Sequence, residues 1–193
     1  MGTPPGKRGK GAPPPSKQEV FKQYQARRSV DGFENAQGPS VGAAWKSFVG
    51  ERGQRLKTVM QGFRVLGNPK YPPGMETSLT LVRDVLARWG SPVPALPPPR
   101  FIEWMLSMQG GRPLGWREVP SGLAQIAANE GRTAVVLGSG PEVVGLGAIV
   151  YPDEAASAPN PTVLMVTATV ALDPGTVLQG FQGQPVRYFA NGQ

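Results

Sequence analysis

Apolar side chains recur at intervals of three and four residues through much of the first two thirds of the chain, a spacing typical of amphipathic helices. The first such stretch begins after Ser40, a good N-cap residue, and extends to about Leu66. The same spacing predicts further helices over residues 75–89, 100–108 and 121–130. The predicted buried positions of the first helix are Val41, Trp45, Phe48, Arg52, Leu56, Val59 and Phe63.

From residue 133 onward, apolar and polar positions alternate with a period of two, which is typical of β-strands. Residues 133–137 and 142–151 flank a Gly-Ser-Gly-Pro turn and predict a hairpin. Residues 162–172 have the clearest strand pattern, because an unbroken apolar row occupies their alternate positions. One or two more strands are predicted within residues 176–179 and 185–189.

These patterns predict an α+β fold. Residues 1–39 are predicted to be a disordered basic arm, since proline and glycine separate its charges and no apolar periodicity supports a core. Residues 40–193 are predicted to form a single α+β domain, mainly helical over 40–131 and mainly β over 132–193, as a small antiparallel sheet. The glycines of the first helix weaken it and predict a break near residues 50–53. A jelly roll is the alternative fold, and it is disfavoured because it needs eight strands.

Positive charge is concentrated in the front of the chain. The formal net charge is +7, and residues 1–118 carry 18 lysines and arginines against 8 acids, whereas the remaining residues have a net charge of −3. A solvated cationic arm joined to a folded body attracts polyanions. We therefore predict that the arm binds nucleic acid. Its predicted contact residues are Lys7, Arg8, Lys10, Lys17, Lys22, Arg27 and Arg28.

The first helix carries a second cationic candidate surface. Lys46, Lys57 and Arg64 follow the apolar stripe one position later, about 100° round the helix. Arg55 adds a further charge nearby. This basic stripe would extend the nucleic-acid surface of the arm, and the alternative is an ordinary solvated helix face.

Aromatic residues among cations are further candidates, because bases stack on them. Phe21 and Tyr24 lie among the arm cations, where the alternative is a hydrophobic tether that docks the arm on its own body. Trp116, next to Arg117, is the tryptophan with the strongest case for exposure, and an exposed Trp116 would stack on a base. Core packing is the prediction for the other three, Trp45, Trp89 and Trp104.

The chain contains no histidine and no cysteine, which removes the usual proton shuttle, thiolate nucleophiles and the commonest metal ligands. The sequence Gly138-Ser139-Gly140 lacks the third glycine and the following helix of a phosphate-binding loop. We therefore expect no enzymatic activity, no cofactor and no metal. No apolar run approaches the roughly 20 residues that cross a bilayer, and no apolar segment follows the basic N-terminus as in a secretory signal. We expect a soluble protein.

The C-terminal half carries few charges, and its predicted strands have apolar faces. A small sheet cannot cover both of its faces by itself. Helices must cover one face, and a second subunit would cover the other or extend an edge strand. Pairing through residues 162–172 would then build a homo-oligomer. The alternative is that helices of the same chain cover the whole sheet.

The cationic arm, with GKRGKG at residues 6–11 and QARRS at residues 25–29, joins a body without catalytic groups and a neutral C-terminal half. This arrangement resembles viral coat and nucleocapsid proteins as a class, although similar tails occur on ribosomal and chromatin proteins. The resemblance implies a structural protein of the virion or host cytoplasm that condenses nucleic acid, with RNA favoured over DNA, and self-associates through its body. The alternative is a virion or matrix-type adaptor whose basic tail binds an anionic membrane surface or an acidic partner.

Overall fold

The computed structural model describes residues 16–19, 38–65, 67–165 and 174–192. The chain divides into two compact units, Met1–Phe48 and Val49–Gln193, and the boundary falls within the first helix. Most of the predicted basic arm therefore lies outside the described residues. The α+β fold class predicted from the sequence is confirmed, because helices and an antiparallel sheet both occur.

In the first unit, the described residues form a helical turn over residues 17–19 and the start of helix α1. Ser16 and Glu19 form a capping box, in which the Glu19 N–H donates to Ser16 Oγ at 3.2 Å and the Ser16 N–H donates to the Glu19 carboxylate at 2.8 Å. Ser16 thus begins the turn by satisfying a backbone donor that a helix start leaves unpaired.

Further along the unit, the rings of Trp45 and Phe48 are stacked with their centroids 5.4 Å apart.

Helix α1 spans Gly38–Gly62 and runs unbroken through residues 50–53, so the predicted break is wrong. Gly53 is buried because the ring of Tyr151 lies over it, and a Cβ at this position would approach Tyr151 Cζ to 2.6 Å. The helix ends before the predicted Leu66, since Arg64 adopts a φ of 48° that a right-handed helix cannot contain. Arg52, predicted to be buried, is half-buried. The buried apolar side chains of α1 in the second unit are Val49, Leu56 and Met60.

The three later helices predicted from periodicity are confirmed, with ends that shift by at most two residues. They are α2, Thr77–Arg88, α3, Pro98–Leu106, and α4, Ser121–Asn129. Helix α3 begins inside the proline-rich stretch because proline is compatible with the first turn of a helix. A further helix, α5 at Val177–Gly180, replaces the strand predicted over residues 176–179. Thr176 and Gln179 form a capping box there, which favours a helical turn.

In the described part of the chain, six antiparallel strands form one sheet in the order β1-β6-β2-β3-β4-β5. They are β1, Trp116–Val119, β2, Ala134–Gly138, β3, Gly147–Val150, β4, Thr162–Leu164, β5, Gly175–Thr176, and β6, Val186–Asn191. The predicted hairpin is confirmed by the pairing of Val136 with Ala148. The strand predicted over residues 185–189 is confirmed as β6, which lies between β1 and β2. Strand β1 was not predicted, and it lies in the half predicted to be mainly helical.

Both faces of the sheet are covered by helices of the second unit. On one face, Val135 and Ile149 belong to a buried cluster with residues of α1, α2 and α3. On the other face, Val136 and Val150 belong to a cluster with residues of α4 and α5. Successive side chains of each strand therefore alternate between two cores. For the described strands, this arrangement corresponds to the alternative in which helices of one chain cover the sheet.

Strand β4 contains the first residues of the predicted self-association surface. It pairs with β3 on one side and with β5 on the other, and all three of its residues are buried. Val163 therefore pairs on both sides, with Val150 and with Gly175, and the three buried residues of β4 present no open face. Residues 166–172, the rest of that predicted surface, lie outside the described residues.

Candidate functional site

Helix α2 ends in a tight C-cap that positions the side chains of Arg88 and Trp89. Gly90 has a φ of 78°, its N–H donates to the Ala87 carbonyl at 3.2 Å, and the next N–H donates to the Leu86 carbonyl at 2.9 Å. These two bonds define a Schellman motif, which glycine favours because it adopts positive φ without strain. Arg88 is the last helical residue and Trp89 is the C-cap, so both lie at the point where the chain leaves the helix.

Helix α4 ends with the same motif. Gly131 has a φ of 89°, its N–H donates to the Ala128 carbonyl at 3.0 Å, and the Arg132 N–H donates to the Ala127 carbonyl at 2.8 Å. The Gly131 carbonyl accepts a hydrogen bond of 2.5 Å from Nη2 of Arg52 on α1. A cation beyond the end of a helix is favoured because carbonyl groups there lack helical partners. Arg52, through this hydrogen bond, and Arg132, as the residue after Gly131, therefore both lie at the end of α4.

An open cleft of about 420 Å³ in the second unit is built from these two helix ends, α1 and the central strands. Four arginines line it: Arg52 and Arg55 from α1, Arg88 from α2 and Arg132 after α4. Trp89 also contributes to the wall. The remaining lining residues are small or apolar, namely Leu56, Ala128, Gly131, Thr133, Ala134, Ile149, Val150 and Pro152. None of the lining residues carries a carboxylate, a thiol or an imidazole.

The arginines differ in how far their charge is compensated. Burial, followed by the positive charge of Arg55, lowers the pKa of Arg52 from its ordinary value. Arg132 pairs with Glu130 at 2.8 Å, and the Glu130 side chain is only 2% exposed. By contrast, Arg55 and Arg88 are exposed, and neither side chain has a hydrogen bond or ion pair to another described residue. Among the described residues, none compensates the charges of Arg55 and Arg88, whereas Arg52 and Arg132 are held by the contacts just given.

This arrangement is suited to binding an anion with a flat apolar part. Guanidinium groups match phosphate and carboxylate oxygens in geometry and charge. Trp89 is 37% exposed, so part of its ring is accessible to a ligand. The volume of the cleft lies within the range of about 300–1,000 Å³ that is usual for ligand sites. The lining supplies guanidinium groups, an indole and apolar side chains, which are the groups that bind such a ligand.

Only some of the residues predicted to contact nucleic acid lie in the described part of the chain. Among the predicted helix residues, Arg55 lines the cleft, whereas Lys57 is half-buried and Arg64 is exposed beyond the end of α1. The helix face that carries the predicted stripe is not one continuous solvated row, because Lys57 is half-buried and Gly53, four residues before it, is buried under Tyr151. In the first unit, Lys17 and Lys46 are exposed. The other predicted arm residues lie outside the described residues, and they are Lys7, Arg8, Lys10, Lys22, Arg27 and Arg28.

The predicted tryptophan environments need correction. Trp116 is 1% exposed, because it belongs to strand β1 and packs into the core with α3 residues. Trp89, predicted to be buried on the apolar side of a helix, is instead exposed in the cleft, since α2 ends one residue before it. Trp104 packs against the core but is only partly buried.

Three cleft arginines are absent from the predicted contact residues. The apolar spacing assigns Arg52 to the buried stripe of α1, and it gives no role to Arg88 or Arg132. A signal for both helix ends is present in the sequence, since Gly90 and Gly131 each follow the end of a helical pattern and mark a glycine C-cap. The convergence of the two ends on α1 is a tertiary relationship that this local signal does not contain.

No protein-family model matches the chain, and no curated protein matches it either. Among the helices that the structure describes, none has the length and apolar character needed to cross a membrane.

Proposed function

We propose that the protein is a non-enzymatic structural protein of the viral coat or nucleocapsid type, which binds nucleic acid and favours RNA over DNA. The observation that carries this proposal is the pair of exposed guanidinium groups of Arg55 and Arg88, for which the described residues supply no partner, in a cleft that no described carboxylate lines. Like charges that converge in this way repel one another, and an anion in the cleft relieves that repulsion. A polyanion also matches the formal net charge of +7.

The arm and the cleft have separate roles in this proposal. The arm cations neutralise phosphates with little reading of sequence, which provides long-range attraction and condensation. The cleft adds a fixed point of contact on the folded body, where the arginine side chains extend from helices and helix ends. Self-association, with residues 166–172 as the remaining candidate surface, would bring several arms to one particle. The virion or host cytoplasm is the proposed location.

A purification experiment tests this proposal. The full chain is purified without nuclease and run on a sizing column, with light-scattering mass and absorbance at 260 and 280 nm recorded together. We expect an oligomeric species that carries RNA and releases it at high salt. A monomer free of nucleic acid at low salt would contradict the proposal.

A second experiment separates the arm from the body. In one full-length variant, glutamine replaces the seven predicted arm cations, and binding to a single-stranded RNA oligomer is measured across salt concentrations. If these seven cations contact phosphates of a single strand, they contribute about −5 to the slope of log affinity against log salt, and the variant keeps only the smaller slope that the body contributes. Binding of the unmodified chain to anionic vesicles but not to RNA would instead support the matrix-type adaptor.

A further inference from the structure

We propose that the arginine-lined cleft holds one nucleotide of a single strand, with its base stacked on Trp89 and its phosphate between Arg55 and Arg88. This inference rests on the proposed function and assigns a ligand class to its site. Binding of this kind makes the folded body selective for unpaired nucleic acid.

The indole of Trp89 is the first reason. Trp89 is 37% exposed, and within the described part of the chain no aromatic ring or cation stacks on it. Its backbone is fixed by the Schellman motif that ends α2, so the ring is presented by a rigid element. An exposed aromatic side chain beside cations is the usual platform on which proteins stack an unpaired base.

The charge distribution provides the phosphate position. Arg52 is held by the Gly131 carbonyl at 2.5 Å, and Arg132 is held by Glu130 at 2.8 Å. The guanidinium groups of Arg55 and Arg88 are therefore the ones that bind the phosphate, and Arg88 immediately precedes Trp89 in the chain. A phosphate and its neighbouring base are likewise joined by a short linkage, so one nucleotide spans both groups.

The lining also indicates that the cleft does not distinguish one base from another. Apart from the arginines and Trp89, the lining residues are apolar or small, with Thr133 as the one hydroxyl group among them. Among the described residues, no asparagine, glutamine, aspartate or glutamate lines the cleft to form paired hydrogen bonds with a base edge. Stacking accepts every base, because each has a π-face. We therefore infer weak sequence preference, together with discrimination against duplexes, whose bases are already stacked and paired.

Intrinsic tryptophan fluorescence of the full chain provides the test. The probes are a short single-stranded RNA of about five nucleotides and a blunt duplex containing the same sequence. We expect the single strand to quench tryptophan emission, and we expect this quenching to disappear in Trp89→Phe but to persist in Trp104→Phe. Trp104 is the matched control because it is partly buried and does not line the cleft. Quenching that survives in Trp89→Phe would overturn the assignment.

Affinity measurements complete the test. Trp89→Ala should weaken single-strand binding about 5- to 100-fold, the range expected for loss of one base stack, whereas Trp89→Phe should restore most of it. Leu178→Ala, which removes another exposed apolar side chain outside the cleft, should have no effect. Duplex affinity should change little in all three variants. Thermal unfolding of each variant verifies that it folds.

The outcomes separate this inference from the proposed function. If the unmodified chain binds single-stranded RNA in a salt-dependent manner and Trp89→Ala behaves like Leu178→Ala, the inference is wrong and the proposed function stands. Equal losses for single strand and duplex in Trp89→Ala would also overturn it. If the unmodified chain binds neither RNA form at low salt, or binds only anionic vesicles, the proposed function and this inference are both contradicted.

Discussion

The guanidinium group of Arg52 donates a 2.5 Å hydrogen bond to the carbonyl oxygen of Gly131, which joins α1 to the end of α4. Gly131 has a φ of 89°, and a Cβ at this position would collide with that same guanidinium group. The glycine therefore satisfies two requirements, a backbone conformation that side chains disfavour and the close approach of a cation. This contact forms one end of the arginine-lined cleft.

Replacing Gly131 by alanine should destabilise the protein by about 3 kcal/mol, because positive φ costs about 1–2 kcal/mol and the Arg52 hydrogen bond is also displaced. Gly90→Ala is the matched control, since Gly90 also has positive φ but a Cβ added there would meet nothing within 4 Å. It should lose only the positive-φ cost of about 1–2 kcal/mol. Urea unfolding measures both free energies. Equal losses in the two variants would show that Arg52 contributes nothing at Gly131.

The two glycines inside α1 should respond in opposite directions to alanine. Gly50→Ala should stabilise the protein by up to about 1 kcal/mol, because alanine favours a helix and the added methyl group meets open space. Gly53→Ala should destabilise it by about 1–3 kcal/mol, because the methyl group would displace the Tyr151 ring. Chemical denaturation of both variants makes the comparison. Stabilisation by Gly53→Ala would contradict the packing of Tyr151 on α1.

A buried amide network joins α4 to the strands. The Gln125 side chain donates to Oδ1 of the Asn129 side chain at 2.9 Å and to the Tyr151 backbone carbonyl at 2.8 Å, and it accepts from the Thr162 N–H at 2.9 Å. Gln125→Leu should reduce the free energy of unfolding by about 2–4 kcal/mol, because it leaves buried polar groups unpaired. Gln61→Leu, at an exposed position, should change it by no more than about 0.5 kcal/mol. Similar effects in both variants would contradict the network.

The pair of Glu118 and Arg187 predicts a pH dependence of stability. Arg187 donates to both Glu118 oxygens, at 2.8 and 2.7 Å, and lowers the pKa of Glu118 below its ordinary value. Because the folded pKa is lowered, the stabilisation is complete above the unfolded pKa and is lost as pH falls through the folded pKa. The side chain of Arg187 is 34% exposed and that of Glu118 is 40% exposed. The pair therefore contributes at most about 1 kcal/mol to the free energy of unfolding after solvent screening.

Glu118→Gln should therefore be less stable than the unmodified chain near neutral pH, and this difference should shrink as the pH falls below the ordinary glutamate pKa of 4.5. Urea unfolding at several pH values measures it. The Arg187→Gln background provides the control, because Glu118→Gln should produce no such pH-dependent difference once the partner is gone. A difference that is constant with pH in the unmodified background would contradict the pairing.

The helices were predictable because their signals are local. The apolar spacing of α2, α3 and α4 is contained within each segment, and all three helices occur where that spacing indicated. Strand β1 has no comparable signal, since its four residues become a strand by pairing with β6 at the far end of the chain, with Trp116 opposite Asn191. The error over Trp116 follows from that non-local pairing.

The cleft could be predicted only in part. The apolar spacing placed Arg55 on α1, and Gly90 and Gly131 mark the two helix ends in the sequence. The meeting of Arg52, Arg88 and Arg132 depends on how α2 and α4 pack across opposite faces of the sheet, which no local pattern specifies. The strand predicted at α5 is a different case, because the Thr176–Gln179 capping box was readable in the sequence.

The most direct test of the account is the salt dependence of single-stranded RNA affinity for the double variant Arg55→Ala with Arg88→Ala. The control is Arg100→Ala with Arg112→Ala, which removes the same charge from exposed positions outside the cleft. We expect the slope of log affinity against log salt to become shallower by about 1.4 in the cleft variant, and to remain nearly unchanged in the control. Identical slopes in the two double variants would contradict the claim that the cleft binds nucleic-acid phosphate.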